Sequence, residues 1–267
     1  MQNIYFDHAA TTPVDPRVLE KMLPYFTDNF GNPNSQHAFG RRAVTAVDEA
    51  RDTVAKCIGA KPSEIYFTSG GTESDNWAMR GAAHALANRG KHLIISAVEH
   101  PAMLSAAKEL QREGFEATLA PVDGYGTVDL AKLEEAIRPD TVFIGVMAAN
   151  NEVGTLQPVK EIAALAKARG IAFFTDAVQA AGTLEVNVKE LGADMLSLSG
   201  HKFYGPKGVG VLYVRSGVRV GKIITGGHQE RSMRGGTTNV PGIVGLAEAF
   251  RLANEEMAQN NAHVSAI

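Results

Sequence analysis

Nearly from end to end, short apolar runs of strand length alternate with longer amphipathic segments of helical period. This alternation limits the possible folds more than any other feature of the chain. A strand that returns through a helix re-enters its sheet in the same direction, so repeated strand–helix units build a largely parallel sheet covered by helices on both faces. The pattern predicts strands over 64–68, 92–97, 116–121, 142–147, 171–175, 195–198 and 208–214. Helices are predicted over 41–58, 73–88, 102–113, 158–170 and 241–257, with a further short one capped by Asp129 and running to Ile137. The last two strands are joined through Gly205-Pro206-Lys207-Gly208 with no helix between them, so one of them is expected to run antiparallel. Beyond Met257 the helical pattern fades and no strand follows. The last helix then has nothing after it to pack on, which fits either a missing second domain or a terminal docking helix.

Composition excludes several functions. The chain has 267 residues and a net charge of −3, which gives no electrostatic case for binding nucleic acid or an anionic membrane. Apolar runs such as 142–149 are far too short to span a bilayer, and the N-terminus lacks the basic and apolar regions of a secretory signal. Cys57 is the only cysteine, so no intrachain disulfide can form and a cytoplasmic location is expected. With no HExxH, no CxxC and no tight histidine cluster, no metal site is expected either.

The polar residues at the predicted strand ends carry the chemistry. Lys202 follows the run Met195-Leu196-Ser197-Leu198, and Asp176 closes the run before Ala177. Alone, each has an ordinary reading: a surface lysine and a helix-capping aspartate. A lysine fixed in a partly desolvated position has a lowered pKa and can form a Schiff base, and an aspartate can keep a pyridinium nitrogen protonated; these are the usual handles of pyridoxal phosphate. His100 and Asn151 also follow strands, where open α/β sheets bind ligands. His100 could stack on a planar ring or shuttle a proton, and Asn151 could donate amide hydrogens, although both residue types are also common in plain turns. Gln179 could reach a phenolic oxygen. Ser69-Gly70-Gly71-Thr72 lies between a strand and a helix, the right context for a phosphate held by backbone N–H groups. It is neither a Walker A loop nor a dinucleotide fingerprint.

Taken together, the segments are specific. Phe6-Asp7-His8-Ala9-Ala10-Thr11-Thr12-Pro13, Thr68 to Asn76, Glu99-His100-Pro101-Ala102, Asn150 to Thr155, Thr175 to Ala180, Leu198 to Lys202, and Gly226 to Arg231 with Arg234-Gly235-Gly236-Thr237 resemble the cysteine desulfurases. The likeness is to the NifS/IscS group of the class V aminotransferase-like enzymes, and it covers nearly the whole chain. It implies the large domain of the fold-type I enzymes, a mostly parallel sheet sandwiched by helices, with pyridoxal 5'-phosphate bound to Lys202. It further implies that Asp176 faces the ring nitrogen and that His100 stacks on the ring and acts in catalysis with Lys202. Gln179 and Asn151 would contact ring oxygen or substrate. Gly71, Thr72, Ser199, Gly200 and His201 would surround the phosphate, and Thr237 would reach the phosphate of a neighbouring subunit in a homodimer. The implied reaction converts L-cysteine to L-alanine and passes sulfur as a persulfide to an iron–sulfur scaffold or another acceptor. A selenocysteine lyase, a related aminotransferase or a non-catalytic interaction module stand as alternatives.

The resemblance also implies a division of the chain. Residues 1–15 would form an arm joining a small domain, 16–257 the large cofactor domain, and 258–267 the start of the small domain. In this family the nucleophilic cysteine and the substrate-carboxylate arginine lie in a C-terminal segment that the 267 residues do not contain. Cys57 sits with Val47, Ala50 and Val54 on the apolar face of a predicted helix, where a cysteine behaves as an inert small hydrophobe. The chain is therefore expected to bind cofactor and to lack the sulfur-accepting thiol.

Overall fold

The computed structural model describes residues 4–266. Seven strands, β1 (Ile65–Thr68), β2 (His92–Ser96), β3 (Glu116–Ala120), β4 (Thr141–Gly145), β5 (Ala172–Asp176), β6 (Met195–Ser199) and β7 (Gly210–Val214), form one sheet in the order β1-β7-β6-β5-β4-β2-β3. The helices are α1 (Pro16–Met22), α2 (Pro24–Thr27), α3 (Ala38–Cys57), α4 (Gly71–Leu86), α5 (Pro101–Arg112), α6 (Leu130–Glu135), α7 (Val159–Ala168), α8 (Val188–Leu191), the kinked turn α9 (Gln229–Ser232) and α10 (Val240–Ser265). All pairings are parallel except those of β7, which is antiparallel to both β1 and β6. The helix-free link from β6 through Gly205-Pro206-Lys207-Gly208 turns the chain back on itself, as its composition predicts.

Alternate residues of each central strand enter opposite layers. Leu93, Ile95, Phe143, Phe174 and Met195 pack with Trp77 and Met103 under α4 and α5. On the other face Ile94, Ile144 and Phe173 pack with Ile162 and Ala166 of α7, and Leu196 and Leu198 join α3 and α10. With helices on both sides, β2, β4 and β6 are buried along their whole length, so they read as continuous apolar runs rather than as alternating ones.

Three expectations need correction. The last helix does not end at Met257 but continues to Ser265, because Ala258-Gln259-Asn260-Asn261 contains no glycine or proline to stop it. It crosses the expected boundary at residue 257 without a break. Val240 to Leu252 bury one side of it in the core against α3 and α1, as the docking-helix alternative expects. Further along, Glu256 pairs with Arg17 and Asn261 Nδ2 donates to Thr183 O at 2.8 Å. The periodicity analysis also misses α1 and α2, which are too short to show a period. Their signal is Asp15-Pro16, where Asp15 Oδ1 accepts from Arg17 N at 2.8 Å and proline occupies the first helical turn. Of the expected N-terminal arm, residues 1–3 lie outside the described residues. Among the described residues, no helix is long and apolar enough to cross a membrane.

Candidate active site

Because β1, β2, β4, β5 and β6 all point the same way, their C-terminal ends share one edge of the sheet. The loops leaving that edge enclose a cavity of about 420 Å³. Gly71, Thr72, His100, Asn151, Asp176, Gln179, Ser199, His201 and Lys202 line it together. Residues separated by up to 131 positions in sequence are thus brought to one site by the sheet order alone.

At one end the turn after β1 opens α4. Gly70 has a φ of +152° and no side chain caps the helix, so the first N–H groups face the cavity. A Cβ on Gly71 would lie 2.9 Å from Val178 Cγ2, so the backbone is packed closely against the strand-end turn of Asp176. Gly210 of β7 is closer still, because a Cβ there would lie 2.6 Å from Gly70 Cα. Thr72, Ser199 and His201 complete a cradle of neutral donors around this helix end.

Lys202 follows β6 on a short 3₁₀ turn and is half-buried. Its Nζ donates to Ala9 O and, at 3.1 Å, to Ala10 O. Burial lowers its pKa, and the charges of Asp176, Asp7 and Glu152 only partly oppose this. The N-terminal strap that accepts from Lys202 is held on both sides. Gln179 Nε2 donates to Ala9 O at 3.0 Å, and His201 Nδ1 lies 3.0 Å from Thr11 Oγ1.

Asp176, at the end of β5, accepts from Val178 N at 2.9 Å and from Ser197 Oγ at 3.3 Å. Burial raises its pKa, while the Val178 N–H, His100, Ser197 and Lys202 favour its ionised form. His100 caps α5, and its Nδ1 accepts from Ala102 N at 3.1 Å. A neutral ring then carries its proton on Nε2. Asn151 Nδ2 donates to Glu152 Oε1 at 2.9 Å. Its neighbour Asn150 instead ties the loop to Val98 O and to its own backbone.

Two expected residues do not line the cavity. Gly200 is buried behind it, where a Cβ would meet Pro206 O at 3.0 Å. Thr237 is exposed and lies away from the cavity of its own chain. The segment carrying Thr237 is nevertheless anchored. Glu230 receives two 2.8 Å bonds from Arg51 and one from Phe67 N, and Arg234 binds Glu73 at 2.7 and 3.0 Å. Asp75 and Glu99, both buried close to Asp176, escape the sequence reading. Asp75 stands among the polar residues Thr72, Glu73, Ser74 and Asn76 and so carries no local signal of burial, and Glu99 is masked by the histidine beside it.

A mixed sheet with a lysine after one strand, an aspartate closing its neighbour and a glycine–threonine helix start on the same edge is the fold-type I arrangement of the pyridoxal-phosphate proteins. The chain matches the family described as Aminotransferase class-V over residues 4–266 and belongs to it. It is 53% identical to the cysteine desulfurase IscS of Methanosarcina thermophila over 97% of its own length and 64% of that relative's. It is also 53% identical to the cysteine desulfurase IscS of Dictyoglomus turgidum, over 96% of its length and 65% of the relative's. The chain therefore spans just under two thirds of these relatives. Among solved structures, a NifS-like protein superposes with a TM-score of 0.94 at 45% identity, covering 97% of this chain and 71% of that one. The structure titled SspA in complex with cysteine gives a TM-score of 0.89 at 44% identity, covering 93% and 72%.

The family's cofactor is pyridoxal 5'-phosphate, and the residues present fit it. The cavity offers a desolvated amine, a buried carboxylate on the same sheet edge and an uncapped helix N-terminus for a phosphate.

Proposed function

We propose that this chain is the cofactor domain of a cysteine desulfurase, which converts L-cysteine to L-alanine and passes the sulfur as a persulfide to an acceptor thiol. The observation that carries the proposal is the convergence of Lys202, Asp176, His100 and the Gly71-Thr72 helix start on one cavity, in a chain that is 53% identical to proteins named cysteine desulfurase. Pyridoxal phosphate, when bound, supplies the electron sink for chemistry at the substrate α-carbon.

The chain's own residues supply the rest. Lys202 would hold the cofactor through its Nζ, and the same amine would accept the α-proton of the substrate. The lowered pKa of Lys202 keeps more of the amine unprotonated near neutral pH. Asp176, held in place by Val178 N–H and Ser197 Oγ, would partner the ring nitrogen. His100 would stack on the ring, with Nε2–H left to donate while Nδ1 is engaged by Ala102 N. Gly71, Thr72, Ser199, Gly200 and His201 hold the phosphate and its surroundings, and Gln179 and Asn151 contact ring oxygen or substrate. Thr237, exposed on its anchored segment, serves the neighbouring subunit of a homodimer. The large domain takes in residues 16–265, because α10 runs unbroken through 257 and stays tied to Thr183, and residues 1–15 lead to a small domain.

Cys57 is not the acceptor thiol. It is half-buried at the end of α3, does not line the cavity, and burial pushes its pKa up to about 11. We assign the acceptor to another cysteine, and the final sulfur recipient to an iron–sulfur scaffold or a similar carrier in the cytoplasm.

The decisive experiment is to purify the chain with pyridoxal phosphate and record its visible spectrum beside that of Lys202→Ala. Borohydride reduction and peptide mapping then locate the attached group. A band in the wild type, lost in the variant and mapped to Lys202, is expected; no band, or a band unchanged by the substitution, overturns the assignment. Alanine formation from L-cysteine, measured with and without an added thiol acceptor, tests the reaction itself.

A further inference from the structure

Three carboxyl groups are buried near one another, Asp176 and Asp75 lining the cavity and Glu99 behind them, and the proposed function uses only Asp176. Register sets Asp176 of β5 beside Ser197 of β6 on neighbouring parallel strands. Both point to the face covered by α4, whose second turn carries Asp75. Asp75 is 1% exposed and lines the cavity, and its Oδ1 has no hydrogen-bond partner among the described residues. The charged groups that bear on it are Asp176 and Glu99, both acidic. His100 and Lys202 bear on Asp176 instead.

Two neighbouring carboxyl groups shielded from water do not both ionise near neutral pH. Their surroundings decide which one keeps the charge. Asp176 has the Val178 N–H, the Ser197 hydroxyl, His100 and the Lys202 amine in its favour. Asp75 has only the Ser197 hydroxyl. A hydroxyl carries one proton, and in this structure Ser197 directs it to Asp176.

Given that Asp176 is the partner of the ring nitrogen, we infer that Asp75 is a positioning residue: it stays protonated beneath Asp176 and confines the single negative charge of the pair to Asp176. Ser197 donates its one proton to Asp176 Oδ1, the carboxylate that keeps the charge, and the proton of Asp75 stays on its own oxygen.

The test does not require cofactor. Carboxyl ¹³C NMR of the aspartate-labelled 267-residue chain, with Asp75→Asn for assignment, follows both groups across pH. Asp75 is expected to ionise after Asp176 and well above the ordinary value of about 3.9. In Asp176→Asn its midpoint is expected to fall by about one pH unit or more, a tenfold change in proton affinity that a merely structural role would not produce. Ionisation of Asp75 at or below the Asp176 midpoint overturns the inference, as does a midpoint that Asp176→Asn leaves unmoved. If Asp176→Asn does not fold, the order of the two titrations in the wild type decides alone. In the cofactor-loaded chain, Asp75→Asn is expected to leave the pH midpoint of the visible band in place, and a shifted midpoint counts against a neutral Asp75. The Lys202→Ala spectrum tests the cofactor assignment separately, so the two readings can fail independently.

Discussion

Replacing Glu99 with glutamine should change how the stability of the fold depends on pH. Glu99 is 4% exposed; its Oε1 accepts from Ser96 Oγ at 2.5 Å and from Met147 N at 2.8 Å, and its Oε2 is buried with no partner. Burial is the main force on this group and pushes its pKa up to about 8, aided by the charge of Asp176 and opposed by the two hydrogen bonds. The folded chain therefore binds this proton more tightly than the unfolded chain, whose glutamate titrates near 4.5. The resulting stabilisation is complete below that unfolded value and is lost as pH rises towards 8. A gap of roughly 3.5 pH units sets a ceiling of about 5 kcal/mol, of which about 3 kcal/mol is lost by neutral pH. Glutamine keeps the acceptor oxygen, supplies hydrogens in place of the protonated Oε2, and does not titrate. Urea unfolding of both proteins from about pH 5 to pH 9 measures the effect, and taking the difference cancels the titrations they share. The wild type should lose stability relative to Glu99→Gln by about 3 kcal/mol or more across that range. A difference that stays flat, or one that favours the wild type as pH rises, would mean that Glu99 is already ionised in the folded chain and would refute the reasoning.

Other substitutions test the supports of the site. Glu230→Ala leaves Arg51 and the Phe67 N–H without their carboxylate. Because the ion pair is nearly buried, the loss should be about 3–5 kcal/mol by urea unfolding. It should also make the 224–238 segment sensitive to protease, because Glu230, Arg231 and Ser232 all hold positive φ there. Gly210→Ala should cost about 1–3 kcal/mol and weaken cofactor retention, measured by dialysis and absorbance, because the new methyl would press on Gly70 and on Leu198 O, 2.7 Å away. Cys57, with its thiol pushed up to about 11, should react with iodoacetamide roughly a hundredfold more slowly than a free cysteine thiol, followed by mass spectrometry. Rapid labelling of the folded chain would show the thiol to be accessible and ionised.

Much of this arrangement is legible in the sequence because it depends on local patterns. Apolar runs and helical periods mark the long elements to within a few residues, and the helix-free link at Gly205-Pro206-Lys207-Gly208 marks the antiparallel strand. Strand ends in a parallel sheet share an edge, so polar residues after successive strands were bound to meet. That is why nine of the expected residues line one cavity. Short elements and continuations are less visible. Helices α1 and α2 show no period, and the extension of α10 past Met257 follows from the absence of a breaker rather than from any positive signal.

What the sequence determines by itself is the order of strands and helices, and with it the edge on which Lys202, Asp176 and His100 stand. What only the tertiary structure decides is the company each side chain keeps. Asp75, Ser197 and Asp176 sit on α4, β6 and β5, far apart in the chain, and their meeting depends on strand register and on which face α4 covers. The charge on a buried carboxyl is set by its desolvation and its neighbours. The same residue type therefore meets opposite surroundings, a backbone N–H, a hydroxyl and Lys202 at Asp176 but acidic neighbours at Asp75, a difference that no local pattern encodes.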